Sequence, residues 1–192
     1  MKEGIKVIIF VVLLGMVSGS LLLGVNRYTE QRIAQNLDFK IKSTVLAVFG
    51  LPYKKETAET AFAENVEVVK LNEVVFYKSK GGEIAFEFSG FGLWGPISGI
   101  IALNGDLITV KDLKIIHQEE TPGLGGRIAE NEFLSQFQGK EILPNIKIVP
   151  PGKARSKNEV DAIAGATLSS KALEKLLNET IQKKLGLLKP GN

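Results

Sequence analysis

The sequence predicts an α+β domain carried behind a single N-terminal transmembrane helix. Three observations predict it. A charge-free apolar run opens the chain, short β-branched segments fill its middle, and an amphipathic helical stretch ends it.

From Val7 to Val25 the chain reads VIIFVVLLGMVSGSLLLGV. A helix of about 20 apolar residues is what crosses a hydrocarbon core. The following NRYTEQRI offers no small-x-small cleavage site, so the run reads as an uncleaved anchor rather than a removable signal. Lys2, Lys6 and the terminal amine precede it, and Arg27, Glu30 and Arg32 follow. This small bias favours an inside N-terminus and an exported C-terminal domain; the expected location is the inner membrane, with the domain on the periplasmic or extracytoplasmic side. The expected organisation is an N-terminus with anchor over 1–25, a juxtamembrane helix and linker over 26–55, and an exported domain over 56–192.

Within 26–50, Ile33, Leu37, Ile41, Val45 and Val48 recur at helical spacing until Gly50-Leu51-Pro52 stops the run. ETAETAFAE is a second helical patch. VEVVKL and VVFYKS read as strands, and GEIAFEFSG places Ile84, Phe86 and Phe88 on one face. ISGIIALNGDLITVKDLKII reads as a hairpin turning tightly at Asn104-Gly105. Residues 130–138 suit a short helix, NIKIV a strand and PPGKARSKNE a polar loop. The last helix is expected from about Leu168 to Leu185, ending at Gly186 as a C′ residue. The elements amount to an antiparallel sheet with flanking helices.

Composition removes several classes of function. The net charge of +3 comes without a basic patch interleaved with aromatics, which argues against nucleic acid. With no Cys there is no disulfide, iron–sulfur ligation or thiol catalysis. The single His, His117, leaves no His-rich metal site, and the acidic residues have no metal-ligand spacing. No catalytic residue or metal ligand is therefore assigned, and any redox chemistry would belong to a bound cofactor.

Three segments stand out. In DAIAGATLSSKALEKLL, Thr167, Ser169 and Ser170 crowd the start of the last helix, next to the small residues Ala164, Gly165 and Ala166. A helix start carries unpaired N–H groups and partial positive charge, which suit a phosphate. A hydroxyl there is equally an ordinary cap, and both readings stay open on spacing alone. In HQEETPGLGGRI, Pro122 stiffens and the glycines loosen a loop that holds Leu124 outward. Such a loop either lines a flat ligand or merely connects elements, and Glu119-Glu120 by itself reads as a solvated pair. In GFGLWGPISG, the single Trp, Trp94, sits on a turn between strands, to stack on a ring or to fill the core.

Together these segments resemble one family, the FMN-binding subunits of membrane electron-transport complexes. These are RnfG of the Rnf complex and NqrC of the sodium-translocating NADH:quinone reductase. DAIAGATLSS resembles the flavinylation motif, approximately Asp-x-x-Ser/Thr-Gly-Ala-Thr. ETPGLGG resembles its companion loop, and GLWGPI has counterparts there as well. The resemblance implies a domain of the FMN-binding type, with FMN joined through its phosphate to the hydroxyl of Thr167. Asp161, Gly165 and Ala166 match the motif, and Leu168 follows the attachment residue. Glu120, Thr121, Pro122, Gly123, Leu124 and Gly125 would lie beside the flavin, and Leu93-Trp94-Gly95 near its ring. Maturation would need an FMN transferase that uses FAD and magnesium.

The implied role is electron carriage within an ion-translocating, Rnf-type complex, whose other membrane and electron-transfer subunits would be the partners. Length favours the Rnf-type protein over the longer NqrC type. One span without intramembrane charge forms no ion path by itself. The alternatives are a free-standing anchored flavoprotein and a non-redox exported ligand-binding module. Two positions depart from the pattern. Ala164 stands where Ser or Thr is usual, and Gln118 stands where a His often lies, with His117 shifted by one and given no role.

Overall fold

The computed structural model describes residues 2–188; the terminal amine of Met1 and residues 189–192 lie outside that range. The chain divides into two compact units, one reaching to Lys40 and the other starting at Ile41. Helix α1 (Lys2–Phe49) is continuous, so the apolar run and the stretch expected as a separate juxtamembrane helix are one element. Its apolar side chains from Val7 to Val25 are exposed, and it is long and apolar enough to cross a membrane. Gly50 closes it at φ +70°, and the Leu51 amide returns to the Leu46 carbonyl at 2.9 Å.

The second unit is the predicted α+β domain. Helix α2 (Ala58–Asn65) leads into strands β1 (Val66–Leu71), β2 (Val74–Ser79), β3 (Ile84–Phe91), β4 (Pro96–Leu103) and β5 (Val110–Gln118). These form an antiparallel sheet in the order β1-β2-β3-β4-β5, as expected for consecutive hairpins. Asn72 and Glu73, both at positive φ, make the two-residue turn between β1 and β2.

The turn at Asn104-Gly105 is wider than the tight primed turn expected. Strand β4 ends at Leu103 and β5 starts at Val110, and Asp106 organises the residues between. Its Oδ1 accepts from the amides of Ile108 and Thr109, each at 2.8 Å, and its Oδ2 accepts from Thr109 Oγ1 at 2.6 Å. A carboxylate that satisfies three donors of its own loop stabilises a longer connection.

A short helix α3 (Asn131–Leu134) follows the glycine loop, then strands β6 (Lys147–Val149) and β7 (Glu159–Asp161), which pair in parallel. Strand β7 has only three residues, too few to show a period, and the sequence does not announce it. Helix α4 (Thr167–Leu188) then packs on the sheet. Leu173, Leu177 and Ile181 recur every fourth residue and meet Phe86, Phe88, Ile97 and Ile101 in the core. Burying each such side chain stabilises the fold by about 1.5–3 kcal/mol. Gly186 does not end α4. Leu185, Leu187 and Leu188 pack against the core on either side of it, and that packing carries the helix past the glycine.

The opposite face of the sheet is also covered. Tyr77, Ala85, Ile100 and Ala102 are buried there, and Phe62 of α2 meets Tyr77 edge-on with ring centroids 6.0 Å apart.

Candidate functional site

The three segments singled out in the sequence converge at the start of α4. Between them lies a cleft of about 300 Å³. Trp94 and Leu93 line it from the β3–β4 turn, Thr121, Leu124 and Gly125 from the glycine loop, and Gly165 to Ser169 from the turn into α4. A larger hollow of about 480 Å³ lies between β2, β3 and the far part of α4, and of the three segments only Leu176 lines it.

The turn into α4 is built from both ends. Strand β7 delivers Asp161, whose Oδ1 accepts from the amides of Lys153 and Ala154 at 2.8 and 2.9 Å. The Ala154 amide bond is the main cause that holds this carboxyl below its ordinary pKa, with the Lys153 and Gly152 amides adding to it. Asp161 therefore anchors the preceding loop and does not line the cleft. Ala162 ties back to the Val149 carbonyl at 2.7 Å, and the Ser170 hydroxyl accepts from the Ile163 amide and donates to the Ala166 carbonyl. Gly165 turns the chain at φ +81°, a conformation that L side chains rarely adopt.

These bonds leave Thr167 exposed as the first residue of α4, and among the described residues no hydrogen bond engages its hydroxyl. The simple cap reading is thus not realised at Thr167, and Ser169 is turned elsewhere. The first-turn amides of α4 have no acceptor within the helix. Leu168 is exposed beside Thr167.

Trp94 is 73% exposed, so it does not fill the core. Leu93 and Leu124 are exposed as well, which gives the cleft apolar walls. Pro122 and Gly123 form the outer bend of the loop, with Gly123 at φ +71°, and do not line the cleft. Gly125 is buried where a Cβ would strike the Ser169 hydroxyl and the Glu120 carboxylate. His117 is exposed, and its ring meets Glu119 Oε1 at 3.1 Å.

Glu120 corrects the reading of Glu119-Glu120 as a solvated pair. It is 4% exposed, and its Oε1 accepts from the amides of Leu93 at 2.7 Å and Trp94 at 3.1 Å. Its Oε2 accepts from Ser169 Oγ at 2.6 Å. Adjacent glutamates leave no mark in a sequence of which one turns inward, and Ser169 likewise shows there only as a helix-start hydroxyl.

An unbonded hydroxyl beside free helix-start amides fits a phosphate, and the exposed apolar walls next to it fit a flat ring. The arrangement is that of a binding domain for a phosphorylated aromatic cofactor. Residues 92–182 match the family model described as the FMN-binding domain, a stretch that takes in the Trp94 turn, the glycine loop and Thr167.

Two curated relatives and one solved structure share a description. The NqrC protein of the Na(+)-translocating NADH-quinone reductase of Pseudomonas aeruginosa is 32% identical over 138 residues, covering 67% of this chain and 52% of that protein. Its counterpart from Vibrio anguillarum is 30% identical over 167 residues, covering 77% and 64%. The crystal structure of the corresponding protein from Parabacteroides distasonis superposes with a TM-score of 0.73 at 26% identity, covering 85% of this chain and 98% of that one. The chain is homologous to NqrC and spans about half to two thirds of the length of these two curated relatives.

Proposed function

We propose that this chain is a membrane-anchored electron carrier that holds FMN covalently through Thr167 and serves as a subunit of an ion-translocating oxidoreductase complex of the Rnf or Nqr class. One observation carries the proposal: the Thr167 hydroxyl stands exposed and unbonded at the first turn of α4, where that turn opens on the cleft. The matched FMN-binding domain supports the identity of the cofactor.

Bound FMN would supply reversible electron transfer, which this chain's own side chains cannot. The residues present divide the remaining work. The Thr167 oxygen would take the FMN phosphoryl group from FAD, releasing AMP with the hydroxyl proton, on a magnesium-dependent FMN transferase. The α4 amides of Thr167 to Ser169 would then receive the phosphate charge. Leu93, Trp94, Leu124 and Leu168 would shield one side of the ring from water. Gly165 and Ala166 keep the approach to the hydroxyl open, and Asp161 fixes the turn from behind.

Helix α1 would hold the domain at the membrane, on the extracytoplasmic side given the positive groups ahead of the apolar run. Electron partners would be other subunits of the complex. Membership of such a complex is supported by the NqrC relatives.

The test is the intact mass of the full chain produced with a functioning FMN transferase, beside Thr167→Ala. The expected result is one added FMN phosphoester in the wild type, yellow colour that survives denaturation, and loss of both in the variant. An unmodified wild-type chain, with the transferase active on a known acceptor, would defeat the flavin reading. Copurification from membranes separates the assemblies. Rnf or Nqr subunits should accompany the chain, whereas a yellow chain that migrates alone would make it a free-standing flavoprotein.

A further inference from the structure

Glu120 is a buried carboxylate whose three accepted hydrogen bonds all go to residues of the cleft wall: the amides of Leu93 and Trp94, and the Ser169 hydroxyl. No ion pair to Glu120 occurs among the described residues. The carboxylate is also closely packed. A Cβ on Gly92 would strike its Oε1, and a Cβ on Gly125 would meet its Oε2. Its own amide is fixed by Gln118 Oε1 at 2.7 Å. A charged group buried without a counter-ion is costly unless hydrogen bonds satisfy it, and here those bonds join two walls of one cleft.

We infer that Glu120 is a positioning residue with an electrostatic consequence. It clasps the Leu93-Trp94 turn to the first turn of α4, and its charge behind the cleft makes the bound flavin harder to reduce. The inference rests on the flavin reading above. Clasping follows from the geometry, since one carboxylate is the shared acceptor of both walls. The electrostatic part follows from sign: reduction adds electrons to the flavin, and a fixed negative charge close by in a medium of low dielectric opposes that addition.

Two substitutions separate these roles. Glu120→Gln keeps an oxygen for the two amides and turns an NH2 toward Ser169 Oγ, which can accept, so the clasp survives while the charge is lost. Glu120→Ala removes the acceptor for all three donors and leaves them buried and unmatched. The full chain would be prepared with the FMN transferase and, separately, without it. Trp94 is the single Trp, so its emission in the unmodified chain reports the turn directly.

In the unmodified chain, Glu120→Ala should shift the Trp94 emission, and Glu120→Gln should leave it at the wild-type position. In the flavinylated chain, Glu120→Gln should raise the midpoint potential. The expected change is of order tenfold in the reduced-to-oxidised ratio at fixed poise, about 30 mV for a two-electron couple. A Glu120→Gln potential equal to wild type would overturn the electrostatic role. A Glu120→Ala emission equal to wild type would overturn the clasp. If the wild type takes no FMN at all, the flavin reading fails and the electrostatic role falls with it, while the emission of the unmodified chain still decides the clasp.

Discussion

Ser169 Oγ donates to Glu120 Oε2 at 2.6 Å, joining two residues 49 positions apart in the chain. Both are buried, so the bond lies beneath the cleft and away from solvent. Ser169→Ala would leave Oε2 without its donor. The cost of such an orphaned buried acceptor is about 1–3 kcal/mol. Chemical unfolding of the full chain should therefore show a lower midpoint with an unchanged slope. An unchanged midpoint would mean that the bond contributes nothing net.

Thr167→Ala should separate chemistry from stability. The side chain is exposed and its hydroxyl has no partner among the described residues, so the unfolding free energy of unmodified protein should change by no more than about 0.5 kcal/mol. Covalent flavin should be lost completely, and Thr167→Ser should retain some because an oxygen stays at the helix start. A fall of about 1 kcal/mol or more in Thr167→Ala would identify the hydroxyl as a cap after all.

Gly125→Ala tests the close packing of the loop on α4. The new methyl would meet the Ser169 hydroxyl and the Glu120 carboxylate, both held by their mutual bond. Overpacking of this kind costs about 1–3 kcal/mol. Thermal unfolding should record it, and flavin loading should fall because the loop and the helix start are forced apart. Wild-type loading in this variant would show that the two walls can separate without consequence.

Asp161 should give the fold an acid-sensitive clasp. Its carboxyl is held below the ordinary Asp value of 3.8, chiefly by the Ala154 amide, with further amides adding to it. A depressed native pKa contributes stability above the unfolded value and loses it as pH falls through the native one. Wild type should therefore exceed Asp161→Asn in urea midpoint above the ordinary Asp value of 3.8, and the gap should close as pH falls below it. A gap that does not vary with pH would show that the amide bonds do not depend on the charge.

Much of this fold is legible because its periods are clean. The apolar run from Val7, the alternation of Phe86 and Phe88, and the stripe of Leu173, Leu177 and Ile181 each report a single face. Turn chemistry is harder to read. Asn104-Gly105 resembles a two-residue turn, but Asp106 binds its own loop and widens it, while the positive φ at Asn72 and Glu73 has no glycine to announce it. Gly186 signals a helix end that the packing of its leucine neighbours overrides.

The site shows the same division. Thr167, Trp94 and Leu124 are visible as unusual residues in unusual settings, and they do line one cleft. The inward turn of Glu120 depends on which amides lie across from it, 26 and 27 residues upstream in the chain. No local pattern encodes that. Asp161 belongs to the motif by spacing, yet its carboxylate serves the loop before it.

The cleft draws on three stretches of chain that lie far apart until the sheet has formed. Before that moment the polypeptide already owns its threonine, but nothing beside it resembles a berth for a ring. Any reagent that required the assembled walls would act only on finished molecules, and the colour of a preparation would then count its correctly built copies.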